Sequence, residues 1–279
     1  MPSILDQISR SLQPNSESAA LDAQVLLAHI SGKPRSWVLA HPELTLSSNQ
    51  RKTLDAALLK LQRGIPLPYV LGHWEFFKLD FIVSPDVLIP RPETEELVEL
   101  ALKWLHDKKY EAVLDVGTGS GCIAIALAKN APDLNLLAVD LSSTALDIAR
   151  QNAEKHNVTD QIQFLESDLF DNIQHSNLPT FNLIIANLPY IPSKTLLKLD
   201  VYSREPTLAL DGGNDGLKLI RRLLEEAPRW LALEGLILLE IDSSHGQGAR
   251  KLAKKFFPLA DIQLKQDLAG RGRFLVIQI

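Results

Sequence analysis

Four apolar runs in this chain end on a side chain that could hold a ligand. "AVLD" closes on Asp115, "LLAVD" on Asp140, "FLESD" on Asp168 and "FNLIIAN" on Asn187. Behind Asp115 comes a turn with glycine at alternate positions, Gly117-Thr118-Gly119-Ser120-Gly121. Such glycines let a chain bend tightly and approach a ligand with no Cβ in the way. A helix beginning there offers free backbone N–H groups. Asp140 follows about twenty residues on, where a carboxylate can accept both hydroxyl protons of a ribose. The pattern is not that of a dinucleotide fold, because Cys122 stands where the third glycine or alanine of G-x-G-x-x-G would be. Nor is it a phosphate loop, since no Gly-Lys-Ser/Thr follows. Ligands of open α/β sheets bind beyond the carboxyl ends of the strands, so the four side chains should converge on one rim.

The register Asp115-x-Gly117-x-Gly119-x-Gly121 resembles the cofactor loop of class I S-adenosylmethionine-dependent methyltransferases. That resemblance implies a methionine moiety on the backbone from Gly117 through Thr118, Gly119 and Ser120 to Gly121. It also implies the ribose on Asp140 and the adenine edge near Asp168. Asn187-Leu188-Pro189-Tyr190, at the fourth strand end, is similar to the [DN]-P-P-[YFW] tetrapeptide of methyltransferases acting on planar, conjugated nitrogens. The lone pair of such a nitrogen is delocalised, so it is a poor nucleophile. Two acceptors aimed at its N–H groups hold it in line and favour the charge that develops there. The side-chain oxygen of Asn187 serves as one acceptor and the Leu188 carbonyl as the other. Pro189 fixes its own φ and extends Leu188, and Tyr190 supplies a flat wall. Leu188 departs from the commoner proline, but the acceptor there is main-chain.

The elements that must place these residues can be read from periodicity. Up to about residue 72 the chain reads as helices. In "SAALDAQVLLAHISG", Leu21, Ala23, Val25, Leu26, Leu27 and Ile30 fall near one face and Gly32 marks the stop. "NQRKTLDAALLKLQRG" repeats the pattern with Leu54, Ala57, Leu58 and Leu61. Alternation in "EFFKLDFIV" suggests a β-hairpin within a connecting segment over 73–90. From Pro92 a helix opens with Glu93, Glu95 and Glu96 in its first turn, where the dipole favours acids. Strands then alternate with helices near 121–130, 143–156, 215–230 and 245–257. The strands are "AVLDVG", "LNLLAVD", "IQFLES", "FNLIIAN", "LILLEID", "IQLKQD" and "RFLVIQI". Such alternation implies a parallel sheet covered on both faces. "LAGRG" is too short for a crossover, so the last strand should run antiparallel. The expected architecture is α/β: a Rossmann-like seven-stranded methyltransferase domain over 91–279, preceded by a small N-terminal helical bundle.

"GIPLPYVLGHWEF" and "VLIPRPETEELV", with "REPTLALDGGNDGLKLIRRLL" and the tail "DLAGRGRFLV", look like the protein-(glutamine N5) methyltransferases of peptide chain release factors. The resemblance covers nearly the whole chain. It implies that residues 1–72 bind the release factor. It implies transfer of methyl from S-adenosylmethionine to the glutamine of the Gly-Gly-Gln loop in class 1 release factors, leaving S-adenosylhomocysteine. An N6-adenine methyltransferase acting on RNA or DNA is the rival, because RNA adenine dimethyltransferases carry similar N-[IL]-P-Y forms. Glu205-Pro206 and Asp211-Gly212-Gly213 shape either a substrate-side loop or a structural turn. Arg271 and Arg273 are taken as solvated charges.

Composition restricts the remaining classes. Hydrophobic residues make up 46% and charged residues 23%, ordinary for a globular protein with a full core. The net charge of −5 argues against a surface that wraps long nucleic acid, so no direct nucleic-acid substrate is expected. No signal-peptide pattern or apolar run of spanning length occurs, so a cytoplasmic protein without membrane association is expected. Scattered histidines and the single Cys122 suggest no metal site, and Cys122 itself reads as a small packed residue.

Overall fold

The computed structural model describes residues 3–106, 112–175 and 180–279, and separates into two compact units, Met1–His73 and Trp74–Ile279. The first is all helical: α1 (Ile4–Leu12), α2 (Ala19–Ser31), α3 (Arg35–Ala40), α4 (Ser48–Gln62) and α5 (Leu67–Leu71). α1 and α4 each open on a capping box, Ser3 with Asp6 and Ser47 with Gln50, which satisfies first-turn N–H groups reciprocally. α2 stops at Gly32 in the left-handed conformation (φ 65°). Ile8, Leu12, Ala23, Leu26, Leu27 and Leu54 form the centre of this bundle. Leu21, expected on the buried face of α2, is instead 45% exposed, because the buried stripe runs through Ala19, Ala23, Leu26 and Leu27.

A hairpin follows, β1 (His73–Phe76) and β2 (Leu79–Ile82), turning through Phe77 and Lys78, both at positive φ. Two such residues match a strand's right-handed twist, although glycine or asparagine is usual there. Phe76 and Phe81 meet edge to face with centroids 6.0 Å apart and are fully buried in the second unit's core. The rest of that unit is α6 (Pro92–His106), β3 (Ala112–Val116), α7 (Cys122–Asn130), β4 (Asn135–Asp140), α8 (Ser143–Lys155), β5 (Ile162–Glu166), β6 (Phe181–Ala186), α9 (Ser193–Leu196), α10 (Lys218–Glu226), β7 (Leu231–Glu240), α11 (Gly246–Phe256), β8 (Asp261–Gln266) and β9 (Gly272–Gln278). The α6 expectation extends to Asp107, which lies outside the described residues.

The sheet has the order β5-β4-β3-β6-β7-β9-β8. β3 through β7 pair in parallel, and β9 runs antiparallel to both β7 and β8, as the short final connection requires. Alternate residues of each strand feed two cores. Leu114 and Val116 pack with Ile220, Leu223 and Ala249 on one face, while Val113 packs with Leu97, Ala101 and Ile125 on the other. Strand order reverses direction about β3, so a crevice opens at the carboxyl ends of β3 and β6.

Three further expectations from the sequence need adjustment. The helix expected from 215 begins at Lys218 and yields to a 3-10 turn at Ala227–Arg229, where Pro228 supplies no N–H. The strand expected from Leu236 begins at Leu231 and carries a register shift. Arg273 is not a solvated charge. It is 8% exposed, and its Nε donates to Asp267 at 3.4 Å. Among the described residues no helix is long and apolar enough to cross a membrane.

Candidate active site

The glycine loop is set by the end of β3. Asp115 is fully buried, and its Oδ2 accepts from the Thr118 hydroxyl at 2.7 Å, while Oδ1 has no hydrogen-bond partner among the described residues. Burial pushes its carboxyl up to about 7. Asp115 therefore braces the loop from behind and is absent from the cavity wall. Gly117, Gly119 and Gly121 all have positive φ, at 75°, 55° and 80°. The N–H groups of Gly117 and Thr118 both donate to the Val139 carbonyl, at 2.8 and 3.0 Å. The loop is also held from α8, where the fully buried Asn152 donates to the Ser120 carbonyl at 2.9 Å. The same carboxamide pairs with both backbone groups of Ile82 in the hairpin, at 2.7 and 3.0 Å.

Asp140 ends β4 facing this loop. Its Oδ2 accepts from Gly119 N–H at 2.8 Å and its Oδ1 from Ser142 N–H at 2.9 Å. Burial raises its pKa, and the two N–H donors oppose the shift. Each carboxylate oxygen still has a lone pair to offer a ligand. Asp168 is pinned by Arg222 of α10, whose Nη1 lies 3.0 and 3.1 Å from the two carboxylate oxygens. Cys122 lies half-buried at the head of α7 and lines the same cavity, with its thiol pushed up to about 12 by burial.

At the end of β6 the carboxamide of Asn187 donates through Nδ2 to Thr94 Oγ1 at 3.0 Å. Among the described residues nothing donates to Asn187 Oδ1 or to the Leu188 carbonyl. Thr94, on the first turn of α6, donates in turn to Glu240 Oε2 at 2.7 Å, and the Tyr190 hydroxyl donates to Glu240 Oε1 at 3.3 Å. Glu240 is 1% exposed at the end of β7, and burial raises its pKa. Leu188 packs down onto the glycine loop: a Cβ on Gly117 would stand 3.0 Å from Leu188 Cδ2.

The turn is clamped from outside by residues 210–216. Ile191 N–H donates to the Leu210 carbonyl at 3.1 Å, and Gly212 N–H to the Ile191 carbonyl at 2.9 Å. Gly212 must be glycine, since a Cβ there would lie 2.7 Å from Tyr190 Cα. Glu205 ties a further stretch of this loop to the segment before α6. Its carboxylate accepts from Ile89 N–H at 3.1 Å and from Arg91 at 2.5 Å. Glu93 and Glu95 stand in the first turn of α6, as expected for the helix dipole, and the α6 acids also reach tertiary partners. Glu95 accepts from Phe77 N–H at 2.9 Å, and Glu96 from Leu268 N–H at 3.1 Å.

A cavity of about 680 Å³ brings together Gly117, Thr118, Gly119, Ser120, Asp140, Asp168, Asn187, Leu188 and Pro189. A smaller one of about 210 Å³ shares Asn187, Leu188 and Pro189 with it and adds Tyr190, Ile191 and Val201. Gly121, like Asp115, is not on either wall. The sequence reading missed Thr94, Asn152, Arg222 and Glu240. Glu240 alone carried a visible signal, a carboxylate closing the apolar run "LILLE", the same pattern that marked Asp140. Among the described residues no group of three or more His, Cys, Asp or Glu side chains is arranged to hold a metal ion.

A sheet of this order, with one reversed strand and a glycine loop after its central strand, is that of a class I S-adenosylmethionine-dependent methyltransferase. The hMettl16 catalytic domain shares this fold at 16% identity, with a TM-score of 0.55 over 84% of this chain and 82% of that one. Residues 3–72 match the PrmC N-terminal domain and residues 95–203 the methyltransferase small domain. The chain is 37% identical to a release factor glutamine methyltransferase of Rhodopirellula baltica, over 94% of this chain and 90% of that protein. With the protein of the same name from Coxiella burnetii, identity is 38% over 96% of this chain and 95% of the other. The chain belongs to the release factor glutamine methyltransferase family.

Proposed function

We propose that this enzyme transfers a methyl group from S-adenosylmethionine to the side-chain amide nitrogen of the glutamine in the Gly-Gly-Gln loop of class 1 peptide chain release factors. One observation carries the reading: Asn187 and Leu188, whose Oδ1 and main-chain carbonyl accept from no described residue, both line the two cavities. The larger cavity falls within the range of about 300–1,000 Å³ usual for small-molecule sites. Its lining fits the cofactor: the Gly117–Ser120 loop for the methionine part, a fixed carboxylate at Asp140 for ribose hydroxyls, and Asp168 for the adenine edge.

When bound, the cofactor supplies an electrophilic methyl group on a sulfonium. The protein's own part is to hold the acceptor nitrogen. Asn187 Oδ1 and the Leu188 carbonyl each accept one N–H of the glutamine amide, which aims the nitrogen and favours the positive charge that grows on it. Pro189 keeps the carbonyl extended, and Tyr190 lines the acceptor cavity. The charged amide is strongly acidic and gives its proton to solvent, so no dedicated base is required. Residues 1–72 grip the release factor body, raising the effective concentration of its glutamine loop at the rim.

The test is to offer methyl-labelled cofactor to purified release factor and, separately, to ribosomal RNA. Label on the glutamine amide supports the reading. Label on adenine N6, with none on the release factor, overturns it.

A further inference from the structure

We propose that Thr94, locked by Glu240, is a positioning residue that decides which end of the Asn187 carboxamide faces the acceptor cavity. The proposal rests on the glutamine-amide reading above and adds what sets its geometry. A carboxamide has nearly the same shape either way round, yet its two ends are opposite in function: oxygen accepts and NH₂ donates. A glutamine amide nitrogen presents two N–H groups, so only the oxygen-out orientation can receive it.

The chain of donors leaves one solution. An ionised carboxylate accepts hydrogen bonds and donates none. Thr94 has a single hydroxyl proton, and it goes to Glu240 Oε2 at 2.7 Å. Thr94 Oγ1 then has only lone pairs to show Asn187, so the NH₂ end must turn toward it, at 3.0 Å. Oδ1 is left facing the cavity. The other carboxylate oxygen is occupied by the Tyr190 hydroxyl at 3.3 Å. The buried Arg273 cation favours the ionised form of Glu240, against the upward push of burial. With the polarity so fixed, a glutamate carboxylate would meet two acceptors and no donor. The same three residues therefore distinguish amide from acid.

Thr94→Val is close to isosteric and removes the hydroxyl, while Thr94→Ser keeps it. In single-turnover methylation of a release factor, Thr94→Val should be slower by about tenfold, the effect of losing one orienting hydrogen bond. Thr94→Ser should recover most of the rate. Affinity for S-adenosylhomocysteine, measured by calorimetry, should move less than about twofold for either variant, because none of its proposed contacts involves Thr94. Added to Asn187→Ala, Thr94→Val should slow the reaction no further, since Thr94 acts only through Asn187. A full rate for Thr94→Val overturns the proposal, as does a loss that multiplies in the Asn187→Ala background. Side-chain ¹⁵N–¹H spectra read the orientation without substrate. The parent should show an exchange-protected Asn187 amide proton that Thr94→Val loses, and an unprotected parent proton also overturns it. A protected proton in a parent that leaves release factor unmethylated upholds the orientation and refutes the activity.

Discussion

Replacing Gly212 by alanine should damage catalysis without removing a single group proposed to contact either ligand. The added Cβ would lie 2.7 Å from Tyr190 Cα, 2.8 Å from its carbonyl carbon and 2.9 Å from Gly216 Cα, where ordinary contact begins at 3.4 Å. All three neighbours are backbone, so no flexible side chain can swing aside. The strand end, the Tyr190 turn or the 210–216 loop must therefore move by more than half an ångström (3.4 less 2.7 Å on the tightest contact). Overpacking of this kind costs about 1–3 kcal/mol of stability. A displacement of the acceptor groups on the order of 1 Å costs about 10² in rate, so a kcat loss of roughly 10- to 100-fold is expected. Cofactor affinity should be nearly unaltered, because the glycine loop and Asp140 are held from β4, α8 and Asp115. Gly270→Ala provides the comparison. Its φ is 77° but nothing lies within 4 Å of the new Cβ, so it should lose about 1–2 kcal/mol of stability to backbone strain and keep its rate. Thermal melts, calorimetry with S-adenosylhomocysteine and single-turnover methylation of a release factor separate these effects. A folded Gly212→Ala protein that methylates at the parent rate would refute the clamp.

Asn187→Ala deletes one proposed acceptor and should lower kcat by about 10²–10³, whereas Leu188→Pro keeps the carbonyl and should retain substantial activity; single-turnover rates on folded variants decide between them. Asp140→Ala should weaken binding of S-adenosylmethionine by roughly 1.5–3 kcal/mol, the worth of charge-assisted hydrogen bonds. Unchanged affinity by calorimetry would place the ribose elsewhere. Asp115 should leave a pH signature in stability, because burial lifts its carboxyl to about 7 in the folded protein, from 3.8 in the exposed chain. The folded form holds that proton more tightly, so the contribution is fully present below about pH 4 and is lost as the pH rises through about 7. Melting temperatures of the parent should therefore fall from pH 5 to 8.5 more than those of Asp115→Asn. Parallel curves would show that Asp115 does not titrate in that window.

What could be read from the sequence was whatever the chain records locally. An apolar run ending in an acid or amide marks a strand that stops at a rim, and this found Asp140, Asp168 and Asn187, whereas Asp115 lies inside β3 and is buried behind the loop. "LAGRG" is too short to cross a sheet, and this alone fixed the direction of β9 relative to β8. The short helices α1, α3 and α5 went unread. α1 is announced by its capping box at Ser3 and Asp6, but α3 and α5 are of only six and five residues and owe their helicity to the bundle around them. The supports of the site were hidden for a different reason. Thr94 and Glu240 are 146 positions apart, Asn187 and Thr94 93, and Arg222 and Asp168 54, so no spacing rule joins them.

That division follows from how each kind of group is selected by the fold. A residue that touches a ligand must occupy the carboxyl end of a strand, because only there does the parallel sheet leave backbone and side chains uncovered. Its position is dictated by one element, which the sequence displays. A residue that orients it can come from any element brought alongside, and needs only the right donor or acceptor in the right place. Thr94 looks like one more polar residue in an acidic helix turn, and Arg273 like one more cation beside a hairpin. Both acquire their meaning from Glu240, a carboxylate that burial would otherwise disfavour. A buried charge with three polar neighbours, two of which lead back to Asn187 and Tyr190, is costly to retain for packing alone. Its partners, followed outward, end at the two residues of the tetrapeptide whose side chains carry hydrogen-bonding groups.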